Sequence, residues 1–311
     1  MSLIVTGSIG IDTIDAPTGK AENVVGGSCV YFAAAASFFT QVRVVAAGGE
    51  DLPAAFDEAF AHFKVDTAGL EKRKGSKTFR WHGRYHTDMN VRDTVDVQLG
   101  VLAEKIPPVP PQYRDSTHVF LANTHPAGQL ELLRQFPAKK LAVADTMDLW
   151  IANEKPALLD LLRQVDGLVL NYEEAFQLTG KTNLVIAAEE ILKLGPTFVV
   201  VKKGEHGSFL LHQSAGGGAS GGKLSIAALP AFAARDVVDP TGAGDSFAGG
   251  MMGHLAATGG AAGFAEIRKA MAYGTVVASF NIESFSLQRL KTVTRAEIDR
   301  RLGEFCAMMS V

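Results

Sequence analysis

Six near-continuous apolar runs constrain this chain more than any other feature: Leu3–Gly7, Val42–Ala47, Val119–Ala122, Leu141–Asp145, Leu168–Asn171 and Phe198–Val201. A strand with one face in water alternates polar and apolar residues, and these runs do not alternate. They predict strands buried on both faces of a mostly parallel sheet. Between them lie segments with helical spacing: Ser28–Phe39, Leu52–Phe63, Gly128–Phe136, Glu173–Thr179 and Leu184–Leu194. Strand and helix in alternation, joined by right-handed crossovers, make a layered α/β domain. The last third is mainly helical, with Gly244–Ala257 followed by Glu266–Phe280. A capping box, Thr294-Arg-Ala-Glu297, opens a final helix.

Two stretches depart from that rhythm. Asp12 to Val25 is polar and contains Gly and Pro. Thr78 to Val101 has period two, with Phe79, Trp81, Gly83 and Tyr85 on one side and Arg80, His82 and Arg84 on the other. This predicts a small antiparallel β element whose apolar face needs a cover, either a substrate or another subunit. The Gly-rich stretch from Ser214 to Gly222 predicts a flexible hairpin tip, because a strand-like segment follows it where a phosphate loop would need a helix.

Composition excludes several classes. Of the 311 residues, 47% are apolar and 20% charged, and the net charge is -3 without long basic runs. That argues against a nucleic-acid binder, which needs many phosphate contacts. Val30–Phe39 is too short to span a bilayer. Two distant cysteines, Cys29 and Cys306, suit a reducing cytoplasm, and no basic, then apolar leader opens the chain.

The chemistry concentrates in Asp239-Pro-Thr-Gly-Ala-Gly-Asp245. Gly242 and Gly244 let backbone approach a ligand closely. The helix that starts there leaves its first amides, Gly242 to Asp245, without intrahelical acceptors, which makes an anion site. Asp245 lies in that first turn. A lone Asp there would be a helix cap. Beside an anion site it can also accept a hydroxyl proton during phosphoryl transfer.

This segment resembles the D-T-x-G-A-G-D signature of the PfkB carbohydrate kinases, the ribokinase-like superfamily, with Pro240 in place of the usual Thr. Three other segments carry the resemblance: Gly26-Gly27 opening a helix, Asn171-Tyr-Glu-Glu174, and Lys203-Gly-Glu-His-Gly207. The resemblance covers essentially the whole chain. It implies one ribokinase-like kinase domain over residues 1–311, a three-layer αβα sandwich with a mostly parallel central sheet. Lid segments of about 13–25 and 75–101 would be inserted in it as a small β-sheet.

The resemblance also implies roles. Asp245 would be the catalytic base, and Gly242, Ala243 and Gly244 the anion hole. ATP would meet Asn171, Glu174, Lys203, Gly204, Gly207 and Thr241, with Tyr273 near the adenine. Glu174 would hold Mg2+, partly through water. Asp239 and Thr241 would help hold a monovalent cation such as K+. Asp12, Gly26, Gly27, Tyr31 and Phe79 would meet the acceptor, Asp12 taking two neighbouring hydroxyls. Tyr31 stands where the family often has Asn, which puts a ribose-type pose in question. Arg84 and Arg92 are either an exposed strand face or contacts for an anionic group.

The expected activity is ATP-dependent phosphorylation of a small sugar or sugar derivative in the cytoplasm. A nucleoside kinase of the same superfamily is the nearer alternative, and a non-catalytic sensor of nucleotide or sugar the more distant one. A homodimer through the lid, or else a monomer, is expected, with neither nucleic acid nor membrane as partner. Gly7-Ser-Ile-Gly10 lacks the spacing of a dinucleotide-binding dehydrogenase.

Overall fold

All six apolar runs become strands of one sheet in the computed structural model, which describes residues 2–214, 222–259 and 262–310. In chain order the strands are β1 (Leu3–Thr6), β2 (Gly10–Ala16), β3 (Gly19–Gly26), β4 (Val42–Gly49), β5 (Asp66–Arg73), β6 (Phe79–Tyr85) and β7 (Arg92–Gln98). They continue with β8 (His118–Leu121), β9 (Leu141–Asp145), β10 (Gly167–Asn171), β11 (Phe198–Lys202), β12 (Ser208–Gln213) and β13 (Leu224–Leu229). The helices are α1 (Ser28–Ala36), α2 (Ala54–His62), α3 (Pro126–Leu133), α4 (Asp148–Asn153) and α5 (Lys155–Leu162). After them come α6 (Tyr172–Thr179), α7 (Leu184–Leu192), α8 (Ala243–Thr258), α9 (Phe264–Asn281) and α10 (Arg295–Met308).

The large sheet has the order β13-β12-β11-β10-β9-β8-β1-β4-β5. Its pairs are parallel from β11 through β5, and β12 and β13 close one edge antiparallel. Side chains alternate across it and form two cores. Leu141, Val143, Val169, Phe198 and Val200 pack under α1, α2, α8, α9 and α10. Ala142, Ala144, Leu168, Leu170, Val199 and Val201 pack under α3 to α7. Helices on both faces make the three layers expected of the ribokinase-like fold.

The small sheet has the order β3-β2-β6-β7. Asp12–Val25, a polar break that the family resemblance assigned to the small sheet, is a hairpin, and β6–β7 is the expected antiparallel pair. The two pairs join through β2 and β6, which run parallel. Other elements were also not read from sequence. β5 carries Asp, Glu and Lys in a half-exposed edge strand, and α4 and α5 are short helices split at Glu154. The tip expected within Ser214–Gly222 falls mostly on 215–221, outside the described residues. The capping box at Thr294 forms, with the Thr294 N–H donating to Glu297 Oε2 at 2.8 Å and the Glu297 N–H donating to Thr294 Oγ1 at 3.3 Å. Cys29 is buried, Cys306 is exposed, and neither is in a disulfide.

Candidate active site

Small residues decide where α8 begins. A side-chain carbon at Gly253 would lie 3.0 Å from the Ala36 backbone, and one at Gly249 would meet the Phe32 carbonyl. α8 therefore lies close against α1, and its N-terminus comes to rest over the carboxyl ends of the parallel strands. It starts at Gly242, whose φ of 74° is left-handed. A side chain there would strike the ring of Tyr31, so both the dihedral and the space call for glycine. The Ala243 N–H turns back to the Pro240 carbonyl at 3.1 Å. Among the described residues no acceptor takes the Gly242 or Gly244 amide, so these two are the donors left for a bound anion.

Below this turn, polar and charged side chains gather from three adjacent strands. Asp145 ends β9, Asn171 ends β10 and Lys202 ends β11. Asn171 and Lys202 are partners in the β10–β11 register. All three have the parity of the residues facing α8. Lys202 Nζ lies 3.5 Å from Asp145 Oδ2, with the two side chains 18% and 6% exposed. Glu174, in the first turn of α6, accepts the Asn171 N–H at 2.7 Å, and Asn171 Oδ1 accepts the Glu174 N–H at 2.8 Å.

Three carboxylates thus surround one ammonium. Burial, and then the charge of Asp145, push Asp245 up to about 7, against Lys202 and Arg92. Burial and Asp145 likewise push Glu174 up to about 7. Burial raises Asp145 too, opposed by Lys202. For Lys202, burial disfavours the ammonium, but Asp145, Glu174 and Asp245 outweigh it and raise its pKa. Among the described residues no three His, Cys, Asp or Glu converge to hold a metal ion directly. The surplus of negative charge fits a hydrated divalent cation arriving with nucleotide phosphates, held through water.

Asp12 occupies the other end. It is 4% exposed and held against Gly26, and the Gly27 backbone N–H favours its charged form. Burial, with Asp239 and Asp245 adding repulsion, pushes it up to about 8. The fields of Asp12, Asp239 and Asp245 therefore overlap, which brings residues from opposite ends of the sequence to one place. Gly27 has φ 98°, and a side-chain carbon there would lie 2.6 Å from the Gly10 nitrogen. Phe79 is in register with Gly10, and Trp81 with Asp12. Both rings are half-buried.

Four of the expected positions have surroundings that local pattern did not show. Tyr31 is 1% exposed and enclosed by protein, so it buttresses Gly242 and does not line an open surface. Tyr273 stacks on His254 with ring centroids 4.3 Å apart and meets Phe39 edge-on, which makes it a core aromatic. Lys203 only approaches the His206 carbonyl, at 3.5 Å, while its neighbour Lys202 reaches the charge cluster. Arg84 points to Asp15 at 3.8 Å, whereas the charge of Arg92 is felt by Asp245 and Glu174.

The remaining residues shape the rim. Gly204 and Gly207 have φ of 56° and 81° and form a tight loop after β11. A side chain at Gly204 would strike Asn90, at the turn before β7, so the small sheet touches that loop. It touches α8's approach as well, where Thr241 Oγ1 donates to the Tyr85 hydroxyl at 3.1 Å. Asp239 Oδ1 accepts the Thr241 N–H at 2.8 Å, and the Thr241 carbonyl accepts Asn281 Nδ2 at 2.8 Å. Asn281 Oδ1 and the Tyr31 hydroxyl are buried without a hydrogen-bond partner.

The fold and this cluster define a phosphotransferase of the ribokinase-like class. Residues 131–293, just over half of the chain, match the pfkB family carbohydrate kinase model, and the chain belongs to that family. It is a sugar or nucleoside kinase with an alcohol group as acceptor. Its sequence is 29% identical over 255 residues to a cytidine kinase of Thermococcus kodakarensis, covering 81% of this chain and 87% of that one. Among solved structures it is similar to Burkholderia thailandensis nucleoside kinase in complex with inosine, with TM-score 0.75 and 18% identity over 98% of this chain and 99% of that one. It is also similar to the ribokinase of Cryptococcus neoformans in complex with ADP, with TM-score 0.76 and 20% identity over 96% and 99%.

The raised carboxyl groups make stability depend on pH. The folded form of Asp12, Asp245 and Glu174 holds protons that the unfolded form has released, so stability falls as pH rises from about 4 to about 8. The urea midpoint of the ligand-free protein should drop across that window, and drop less in Asp12→Asn. A midpoint that rises there would contradict the desolvated cluster.

Proposed function

We propose that the chain transfers the terminal phosphoryl group of ATP to a hydroxyl of a furanoside, with a nucleoside favoured over a free sugar. The observation that carries this is the surrounding of Asp12. A buried carboxylate that can take two neighbouring hydroxyls is in register with one aromatic ring and next to another, within the field of Asp245. A diol on Asp12 leaves a planar base free to lie against Phe79 or Trp81. The likeness to a cytidine kinase supports the same order, and moves the free sugar expected from sequence to second place.

In this reading Asp12, Gly26, Gly27 and Phe79 hold the acceptor with its reacting hydroxyl toward Asp245. Asp245 takes the hydroxyl proton as the new oxygen–phosphorus bond forms and the bond to the ADP oxygen breaks. The turn Gly242-Ala243-Gly244 receives the phosphoryl charge on the Gly242 and Gly244 amides. Asn171 and Glu174 would hold the metal through water, and Gly204 and Gly207 shape the loop for the nucleotide phosphates. Mg2+, when bound, neutralises charge on those phosphates. The small sheet serves as a lid within a single kinase domain. No helix among the described residues is long and apolar enough to cross a membrane, and we place the reaction in the cytoplasm.

Coupled ADP release tests the reaction against cytidine, inosine, adenosine, ribose, fructose and sugar acids. Nucleosides should give the highest kcat/KM, and Asp245→Asn should lower turnover by at least about a thousandfold while nucleotide still binds. Free sugars turning over ten times better would reverse the acceptor order. An Asp245→Asn variant near wild-type rate would remove the base, and tight ligand binding with no ADP release would leave a sensor.

A monovalent cation fits beside the anion hole. Asp239, the Thr241 carbonyl and the orphaned Asn281 Oδ1 supply oxygens there, although N–H groups already use part of that set. Potassium in place of tetramethylammonium should raise kcat several-fold, and equal rates in the two salts would exclude the ion.

The lid also fits a homodimer. β7 is an edge strand exposed along its length, with Val95 and Val97 at 45% and 49%. Sedimentation should show a dimer that becomes a monomer when both are changed to Lys. A wild-type monomer would end this reading.

A further inference from the structure

Lys202 has a place in the site that the established family activity does not give it. It is the only cation among four charged side chains in the cluster with Asp145, Glu174 and Asp245. A side-chain carbon built on Gly244 would lie 3.0 Å from its Nζ, so the ammonium sits directly beside the first turn of α8. That turn is the positive end of a 16-residue helix. A cation placed there is repelled by the helix dipole. Asp145 offsets part of this, but its oxygen is 3.5 Å away, too far for a short charge-assisted hydrogen bond. An ammonium has three protons to donate, and among the described residues Asp145 is the single acceptor of Lys202 Nζ. A half-buried ammonium with a single, distant hydrogen-bond acceptor and two amides without acceptors thus converge on one position.

We propose that Lys202 is a catalytic residue that donates hydrogen bonds to the terminal phosphoryl group of ATP as it passes the Gly242–Gly244 turn, with Asp145 as its positioning residue. The inference rests on the kinase reading above. The ammonium keeps its proton throughout. The hydroxyl proton goes to Asp245, the new bond joins the acceptor oxygen to the terminal phosphorus, and ADP departs with the electrons of the broken phosphorus–oxygen bond. Lys202 stabilises the charge on the group in transit. Gly244 lets the turn and the ammonium lie close, since a side-chain carbon there would sit 3.0 Å from Nζ.

The pair ADP and a non-hydrolysable ATP analogue isolates the terminal phosphoryl group. Titration calorimetry with Mg2+ present should show that Lys202→Met weakens the analogue about tenfold or more and leaves ADP within about twofold. Its kcat should fall roughly 100- to 1,000-fold. Lys202→Arg should recover part of both losses. Asp145→Asn should weaken the analogue selectively but less. A thermal melt checks that each variant is folded, and Lys202→Gln takes the place of Lys202→Met if the latter does not fold. Equal losses for ADP and analogue, or no loss for either, would overturn the proposal. A wild-type protein that releases no ADP with any acceptor defeats the kinase reading, and the analogue-to-ADP difference still judges Lys202. A wild-type protein that binds neither nucleotide defeats both.

Discussion

Five carboxyl groups buried or half-buried near one another hold the key tension of this molecule. Asp12, Asp145, Glu174, Asp239 and Asp245 all sit above their ordinary pKa, with burial as the first cause in each case. Such groups repel one another and lose water, and in isolation they would be strongly unfavourable. Lys202 offsets part of that cost, and backbone N–H groups of Asn171, Gly27 and Thr241 offset more. The remainder is an unfilled demand for cations and hydroxyl donors. The proposed ligands, a metal-bound nucleotide and a polyhydroxy acceptor, bring both.

The fold can hold that arrangement because its scaffold is stiff. Parallel strands buried on both faces end at one edge, and side chains at those ends are fixed by the ladder beneath them. The opposing wall is the start of α8, located by close contact between glycines of α8 and the backbone of α1. Tyr31 beneath Gly242 fixes the turn from below. The small sheet completes the enclosure, with Tyr85 on Thr241 and Asn90 on Gly204. Its outer strand β7 is exposed along its whole length.

Much of this was legible in the chain. The strands were found because unbroken apolar runs have few other uses in a protein of this kind, and Asp239–Asp245 because glycines before a helix make an anion site. Other residues escaped for identifiable reasons. Lys202 and Lys203 are adjacent, and a one-residue difference in a strand sends a side chain to the opposite face. Sequence similarity drew attention to Lys203, while the alternation of Phe198, Val200 and Lys202 could have pointed to the α8 face. Asp145 was placed at a strand end but given no role, since its meaning comes from the lysine two strands away. Tyr31 and Tyr273 were given ligands because aromatic side chains suit both a pocket and a core, and only packing separates the two.

The sequence by itself determined the layered sheet and the glycine turn that opens α8, because each rests on local pattern: hydrophobic period, glycine placement and helix start. The tertiary structure decided which charges share a field. Asp12 and Asp245 are 233 positions apart, counted from their residue numbers in the chain, and Asp145 and Lys202 belong to different strands. Coulomb interactions and desolvation depend on distance in space and on the surrounding medium. No local pattern encodes either, so the electrostatics of the site became readable only once the strands were side by side.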